Sequence, residues 1–219
     1  MKKQQNIYLF HKMNKEMLQF SDPLHDLAKE YNIKEVSDSK NANLIVSIGG
    51  DGTFLQAVRK TNFRDDCLYA GISTREKLHI YCDFSIYDQN KIIAAITNER
   101  IAIRRYPLIE VSFDDRNPFY CLNELSIRSS IVKTFVLDVF IDDLHFETFR
   151  GDGMIISTPT GSTAYNKSIS GAVVDPFLPC FQVSELASLN NNSYRTLGSS
   201  FILSGERTLT LKIADHDSN

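Results

Sequence analysis

No apolar run in this 219-residue sequence is long enough to cross a bilayer. A span needs about 20 consecutive apolar residues. The longest stretches, such as Phe135–Ile141, are broken by Asp or turn residues within a few positions. The N-terminus is charged but lacks the apolar segment of a secretory signal. Basic excess is missing too: 24 Lys and Arg against 27 Asp and Glu leave a formal charge of −3. A dedicated nucleic-acid binder usually shows a basic stripe, so neither nucleic acid nor a membrane is an expected partner. Cysteine is sparse: Cys67, Cys82, Cys121 and Cys180, with no Cys-x-x-Cys pair. A chain of this length needs no disulfides, so the thiols are expected reduced and mostly buried, and the protein cytoplasmic. Hydrophobic residues at 42% and charged residues at 23% are ordinary for a folded chain. That excludes disorder, collagen-like repeats and coiled coil.

The first third alternates strand and helix signals. Ile7–Phe10 reads as a short strand, and Ser21-Asp22-Pro23 as a helix start with proline in the first turn. Leu44–Ile48 is nearly continuous in apolar residues, as expected of a parallel strand covered on both faces. Leu68–Ile72 is another strand, and Ile92, Ile93, Ala95 and Ile96 mark a helix. Near residue 100 the pattern changes to strands and turns. Leu108–Phe113 and Tyr120–Ile127 flank a hairpin-like loop at 114–118. Phe135, Leu137, Val139 and Ile141 alternate, so one face of that strand is expected buried. Asp142-Asp143 reads as a tight turn into Leu144–Arg150, Met154–Ser157 as a strand, and Phe201–Leu203 with Thr208–Ile213 as a pair. The expectation is an α/β domain over 1–99, Rossmann-like with a parallel sheet, and a β-rich domain over 100–219, a β-sandwich.

Glycine is scarce, ten in all, yet three fall within Gly49–Gly52, after a buried strand and before a helix. Glycines there let a phosphate approach without a Cβ in the way. The order Gly-Gly-Asp-Gly-Thr is neither the dinucleotide fingerprint nor the P-loop. Its acid repels phosphate; it suits accepting a proton from a hydroxyl or holding a magnesium ion. A plain Asp-Gly turn capping the helix accounts for it equally well. A second signal lies at Arg150-Gly151-Asp152-Gly153, followed by Thr158-Pro159-Thr160-Gly161-Ser162-Thr163-Ala164-Tyr165. Four of those last eight residues carry aliphatic hydroxyls, able to satisfy phosphate, ribose or carboxamide groups or merely to cap a helix. Asn123-Glu124, a carboxamide beside a carboxylate at the end of an apolar strand, suits the two hydroxyls of a ribose, and read alone fits a loop pair facing water at least as well.

Taken in order, Gly-Gly-Asp-Gly-Thr, Asn-Glu and Thr-Pro-Thr-Gly-Ser-Thr-Ala-Tyr-Asn-Lys-Ser resemble the NAD kinase family, in the second type found in Bacillus-like bacteria. The likeness runs from residue 5 to about 215. It implies transfer of the γ-phosphoryl group of ATP to the 2′-hydroxyl of the adenosine ribose of NAD. Asp51 matches the family's proton acceptor. Gly52, Asn123, Glu124, Thr160, Thr163, Ala164, Tyr165, Asn166, Lys167, Ser168 and Ala187 match positions that bind NAD. Arg150 and Asp152 match an element near the nicotinamide end, contributed from a neighbouring subunit. The resemblance also implies a divalent cation, with magnesium expected and no metal-ligating residue assigned, and a homodimer or homotetramer. Phe146 and Phe149 support assembly, since alternation keeps both from entering one core.

Departures from the family pattern are visible. Its Gly-x-Leu-Gly-Phe segment is replaced by Arg75-Glu76-Lys77-Leu78-His79-Ile80, and Ser-Gly-Gly by Ser170-Gly171-Ala172. Family members continue past the position of Asn219 with further strands and a helix, so a longer chain is expected. Two rivals share parts of the pattern. A lipid or sphingoid kinase also carries the Gly-Gly-Asp-Gly-Thr turn, but the hydroxyl-rich segment favours a nucleotide. A catalytically silent NAD-binding sensor would need no Asp51.

Overall fold

The computed structural model describes residues 5–13, 15–97, 102–114, 116–129 and 134–214. They divide into two compact units, Met1–Ile103 and Arg104–Asn219. The boundary expected at 99/100 falls outside the described residues.

In the first unit, β1 (Asn6–Phe10), β2 (Lys34–Glu35), β3 (Leu44–Ile48), β4 (Leu68–Ser73) and β5 (Phe84–Ser85) form a parallel sheet in the order β2-β1-β3-β4-β5. Helices α1 (Lys15–Glu30), α2 (Asp51–Lys60) and α3 (Gln89–Thr97) cover it. β3 is central and buried on both faces, which explains its unbroken apolar run. Val46 and Ile48 pack with Leu24 and Leu27 of α1 and Ile92 of α3, whereas Ile45 packs with Ala57 of α2. The helix expected to start at Ser21 starts earlier, with Pro23 inside it. Proline gives up its amide hydrogen bond there. Ser21 does not cap; its hydroxyl donates to the Leu18 carbonyl at 2.9 Å.

The second unit is a sandwich. One sheet runs β10 (Leu144–Gly151), β9 (Phe135–Ile141), β14 (Leu209–Ile213). The other runs β13 (Phe201–Ser204), β12 (Cys180–Leu186), β11 (Gly153–Ser157), β8 (Glu124–Arg128). A separate hairpin pairs β6 (Ile109–Val111) with β7 (Phe119–Cys121). Leu137, Val139 and Phe149 from the first sheet meet Met154, Ile156 and Val183 from the second in one buried cluster. Asp142 and Asp143 both have positive φ, at 49° and 67°, as a two-residue I′ hairpin turn requires. Among the described residues no helix is long and apolar enough to cross a membrane.

Two expectations need correction. Phe201–Leu203 and Thr208–Ile213 do not pair with each other: β13 pairs with β12, and β14 with β9, in different sheets. Asp142 contributes to this, accepting from the Thr208 amide at 2.9 Å and pairing with Arg207. Tyr120–Ile127 is not one strand either. It breaks at Leu122-Asn123, whose carbonyls are taken by threonines described below, and the halves join different sheets. Phe146 and Phe149 do separate, and Phe146 falls at a bulge between His145 and Glu147. Phe149 is fully buried in the core, while Phe146 lies half-exposed against Phe201, ring centroids 5.1 Å apart. Phe149→Ala is expected to cost about 3–5 kcal/mol, but Phe146→Ala only about 1 kcal/mol. The shift in urea midpoint of each variant checks the contrast.

Candidate active site

The first site element sits at the carboxyl end of β3, where open α/β sheets bind ligands. Gly49 has φ of +148°, and a Cβ there would come within 2.4 Å of the Thr53 hydroxyl, so the turn requires glycine. Gly50 and Gly52 differ: a Cβ at either would meet nothing within 4 Å. Gly52 is exposed inside α2, where alanine would be the better helix former by about 0.5–1 kcal/mol. The fold itself therefore gives no reason for those two glycines, and open space lies over the turn.

Asp51 opens α2 and is held by the segment that follows β4. Its Oδ2 accepts from the Ile80 amide at 3.2 Å and its Oδ1 from the Tyr81 amide at 3.0 Å. The Cys82 thiol lies 3.7 Å from Oδ1 and 3.7 Å from the Gly49 carbonyl. Burial first, and then the Asp51 charge, push that thiol up to about 12, so it stays a donor. Tyr81 stacks on Phe54 of α2, centroids 5.1 Å apart and 3° from parallel, which ties the segment to the helix it serves. A cavity of about 340 Å³ opens beside Asp51, lined also by Gly50, Ser73, Thr74, Arg75 and His79.

The second element covers the outer face of the β8–β11–β12 sheet. Alternation turns Leu125 and Ile127 into the sandwich core, so Glu124, Ser126 and Arg128 face outward. Ser157 pairs with Glu124 and leads directly into the hydroxyl-rich loop. The Thr158 amide donates to the Asn123 carbonyl at 2.8 Å, and its hydroxyl to the Leu122 carbonyl at 2.6 Å. The Thr160 hydroxyl donates to the same Leu122 carbonyl at 3.0 Å. A Cβ on Gly161 would reach the Asn123 carbonyl at 2.0 Å, so only glycine permits this approach. Helix α4 (Tyr165–Ser168) then runs back over the sheet. Asn166 is fully buried, its amide donating to Gln182 and its carbonyl accepting from Ser184 at 2.6 Å. The Arg128 guanidinium lies over the Tyr165 ring, 4.9 Å from its centroid.

Two buried side-chain oxygens have no hydrogen-bond partner among the described residues, Oε2 of Glu124 and Oε1 of Glu147. Glu147 has an internal explanation: its Oε2 accepts from the Leu197 amide at 2.7 Å and it lies against Glu185. Glu124 has none. Burial pushes its carboxyl above the ordinary value, since the charged form lacks solvent and donors. Such a buried acceptor calls for a donor from outside the described residues, a water or a ligand group.

Comparison with known proteins identifies the family. Residues 122–219 match the family model of the ATP-NAD kinase C-terminal domain. The chain is 66% identical over 208 residues to NAD kinase 2 of Bacillus subtilis, covering 95% of this chain and 78% of that protein. With NAD kinase 2 of Halalkalibacterium halodurans the identity is 60% over 213 residues, covering 97% and 80%. The chain belongs to the NAD kinase family. Its fold is also that of yeast NADH kinase complexed with NADH, with a TM-score of 0.76 at 22% identity, covering 97% of this chain and 73% of that one. An NAD kinase from Archaeoglobus fulgidus in complex with ATP gives 0.74 at 23% identity, covering 94% and 80%.

The family-matched positions fall into distinct settings. Asp51 and Gly52 belong to the first unit and the rest to the second. Asn123, Glu124 and the loop at 160–168 share one end and the outer face of β11. Arg150, Asp152 and Ala187 gather at its other end: the Asp152 amide donates to the Leu186 carbonyl at 2.9 Å, and the Leu189 amide to that of Arg150 at 2.8 Å. Ala187 has φ of +46°, a left-handed conformation costing alanine about 1–2 kcal/mol. Thr163, Lys167, Ser168 and Asp152 are exposed, whereas Thr160 and Asn166 point inward. Ala164 joins the loop to α4. Sequence reasoning missed Arg128, although its place two residues after Ser126 and four after Glu124 puts it on the same face.

Glu124→Gln is expected to stabilise the ligand-free protein at neutral pH. A carboxyl raised by folding contributes its stability below the unfolded value of 4.5 and loses it as pH rises through the raised folded value. The gain from glutamine should therefore be present at about pH 8 and absent at about pH 4. Urea unfolding of both proteins at the two pH values checks the sign.

Proposed function

We propose that this chain transfers the γ-phosphoryl group of ATP to the 2′-hydroxyl of the adenosine ribose of NAD, giving NADP and ADP. The observation that carries this reading is Asp51, whose carboxylate is held by two backbone amides at the edge of a cavity, next to glycines with open space above them. The identity of 60–66% to proteins named NAD kinase 2 supports it. A ribose hydroxyl is a poor nucleophile, and phosphoryl transfer is mostly positioning and charge neutralisation. Asp51 orients the 2′-hydroxyl and takes its proton. The ribose oxygen forms its bond to the γ-phosphorus, the bond to the β–γ bridging oxygen breaks, and that electron pair leaves with ADP. A positioned base contributes about 10²–10⁴-fold.

Asn123 and Glu124 hold a ribose diol of NAD, whose hydroxyls supply the donors that Glu124 Oε2 lacks. Gly52, Thr163, Ala164, Tyr165, Lys167 and Ser168 contribute contacts with NAD. Thr160 and Asn166 shape the loop that makes them, because their side-chain groups already have partners within the chain. Turnover separates this reading from a silent NAD-binding sensor, and transfer to NAD instead of diacylglycerol separates it from a lipid kinase. Asp51→Asn keeps the shape but cannot accept the proton. Turnover should fall by about 10²-fold or more, with NAD affinity in calorimetry nearly unchanged. Near-normal turnover would remove Asp51 from this role.

A divalent cation, magnesium, accompanies the donor. No group of three His, Cys, Asp or Glu able to hold a metal occurs among the described residues. We assign the cation to the phosphates of the donor and name no residue of this chain as its ligand. When bound, it offsets the triphosphate charge.

The protein acts in the cytoplasm as a homo-oligomer, a dimer or tetramer, in which Arg150 and Asp152 serve a neighbouring subunit's NAD. Exposed Asp152 supports this, but Phe146 does not, since it finds Phe201 within its own chain. A ligand bound across an interface favours the assembled state by mass action. Sedimentation at micromolar concentration should show an oligomer strengthened by NAD; a monomer with and without NAD would confine Asp152 to its own chain.

A further inference from the structure

The 75–80 segment, one of two that depart from the family pattern, contributes to the Asp51 cavity. Arg75 and His79 both line it, with the hydroxyl residues Ser73 and Thr74 and with Gly50. The backbone of Arg75 is pinned on both sides: its amide donates to the Ser73 hydroxyl at 3.0 Å, and its carbonyl accepts from Ser85 at 3.1 Å. Its guanidinium makes no hydrogen bond or ion pair with any described residue, and neither does the His79 imidazole. A structural histidine would be buried and partnered; His79 is exposed and has no partner among the described residues.

Charge makes the arrangement meaningful. A carboxylate at the centre of the glycine turn repels any phosphate that approaches it. At 4 Å two unit charges interact by about 4 kcal/mol near a protein surface, so phosphate needs a cation on the same wall. Arg75 supplies one, and a guanidinium offers the paired donors that match phosphate oxygens. Lys77 is exposed too, but it does not line the cavity.

We propose that Arg75, assisted by His79, forms a subsite for the phosphate chain of the donor and sets the enzyme's affinity for that donor. This rests on the reading of Asp51 as the proton acceptor, because the transferred phosphoryl group must then come to this cavity. Arg75 binds phosphate oxygens here and is no part of proton transfer. The subsite recognises the chain of phosphates and not the base, so inorganic tripolyphosphate should occupy it as well.

The test uses the full-length protein and the variants Arg75→Gln, Arg75→Lys and His79→Gln. Calorimetry with tripolyphosphate, without NAD, reads the subsite independently of turnover. Arg75→Gln should weaken tripolyphosphate binding by about 10- to 100-fold, the worth of a charge-assisted contact, with Arg75→Lys in between and His79→Gln showing a smaller loss. In steady-state assays the KM for ATP should rise in the same order while the KM for NAD stays within about twofold. Unchanged tripolyphosphate affinity in Arg75→Gln would overturn the proposal. So would a loss confined to NAD, which would place the dinucleotide's own pyrophosphate at Arg75. If the wild type forms no NADP but binds tripolyphosphate through Arg75, the kinase reading fails and the phosphate subsite stands.

Discussion

The contact between the Thr158 and Thr160 hydroxyls and the Leu122 carbonyl decides where the second unit's chemistry sits. It interrupts what would otherwise be one long strand, sending β7 to the small hairpin and β8 to the sandwich. It also places the loop after β11 directly beside Asn123 and Glu124. Gly161 completes the joint, because any larger residue would collide with the Asn123 carbonyl. Without this joint the outer face of the sheet would be an ordinary polar surface. With it, the loop is anchored beside Glu124, one of whose carboxylate oxygens is buried with no donor among the described residues. The hydroxyls that resemble ligand contacts in the sequence thus act partly by building the corner around Asn123 and Glu124.

Much of the architecture is legible in the sequence for a simple reason. β3 and β9 carry patterns with one physical interpretation: Leu44–Ile48 is apolar throughout because both faces are covered, and Leu137 and Val139 alternate because one face is. β12 was harder to recognise. Its inward residues Phe181 and Val183 alternate with Gln182 and Ser184, which are buried but polar because α4 covers them and Asn166 joins them. Pro23 misplaced the start of α1, since a proline in a first turn and one inside a helix look alike without the neighbouring turn. β13 and β14 are close in sequence yet join different sheets, because closeness in sequence says little about which sheet receives a strand.

The site was legible in its motifs and illegible in its division of labour. Composition could single out Asp51, Asn123, Glu124 and the threonine loop, because unusual residues crowd there. It could not show that Thr160 and Asn166 face inward, since a hydroxyl or an amide looks the same whether its partner is a ligand or a backbone carbonyl. Nor could it reveal Arg128, an unremarked residue at the end of an ordinary strand, or that the Arg75 and His79 side chains find no partner among the described residues. Each of these depends on which groups three-dimensional packing leaves without a partner.

The two carboxylates show how packing assigns such roles. Asp51 receives both amides of the Ile80-Tyr81 step, so its oxygens are aimed before any substrate arrives and need little reorganisation when a hydroxyl comes within reach. That aim depends in turn on Tyr81 stacked against Phe54, which links the donors to the helix carrying the acceptor. Glu124 is the opposite case. One of its oxygens is buried with no donor among the described residues, so the protein carries an electrostatic cost that a hydroxyl donating to it would remove. A satisfied carboxylate suits chemistry, because its geometry must not drift during the reaction. An unsatisfied one suits binding, because the ligand then restores what folding took away. The same functional group thus acquires two different uses from the number of donors that the fold leaves around it.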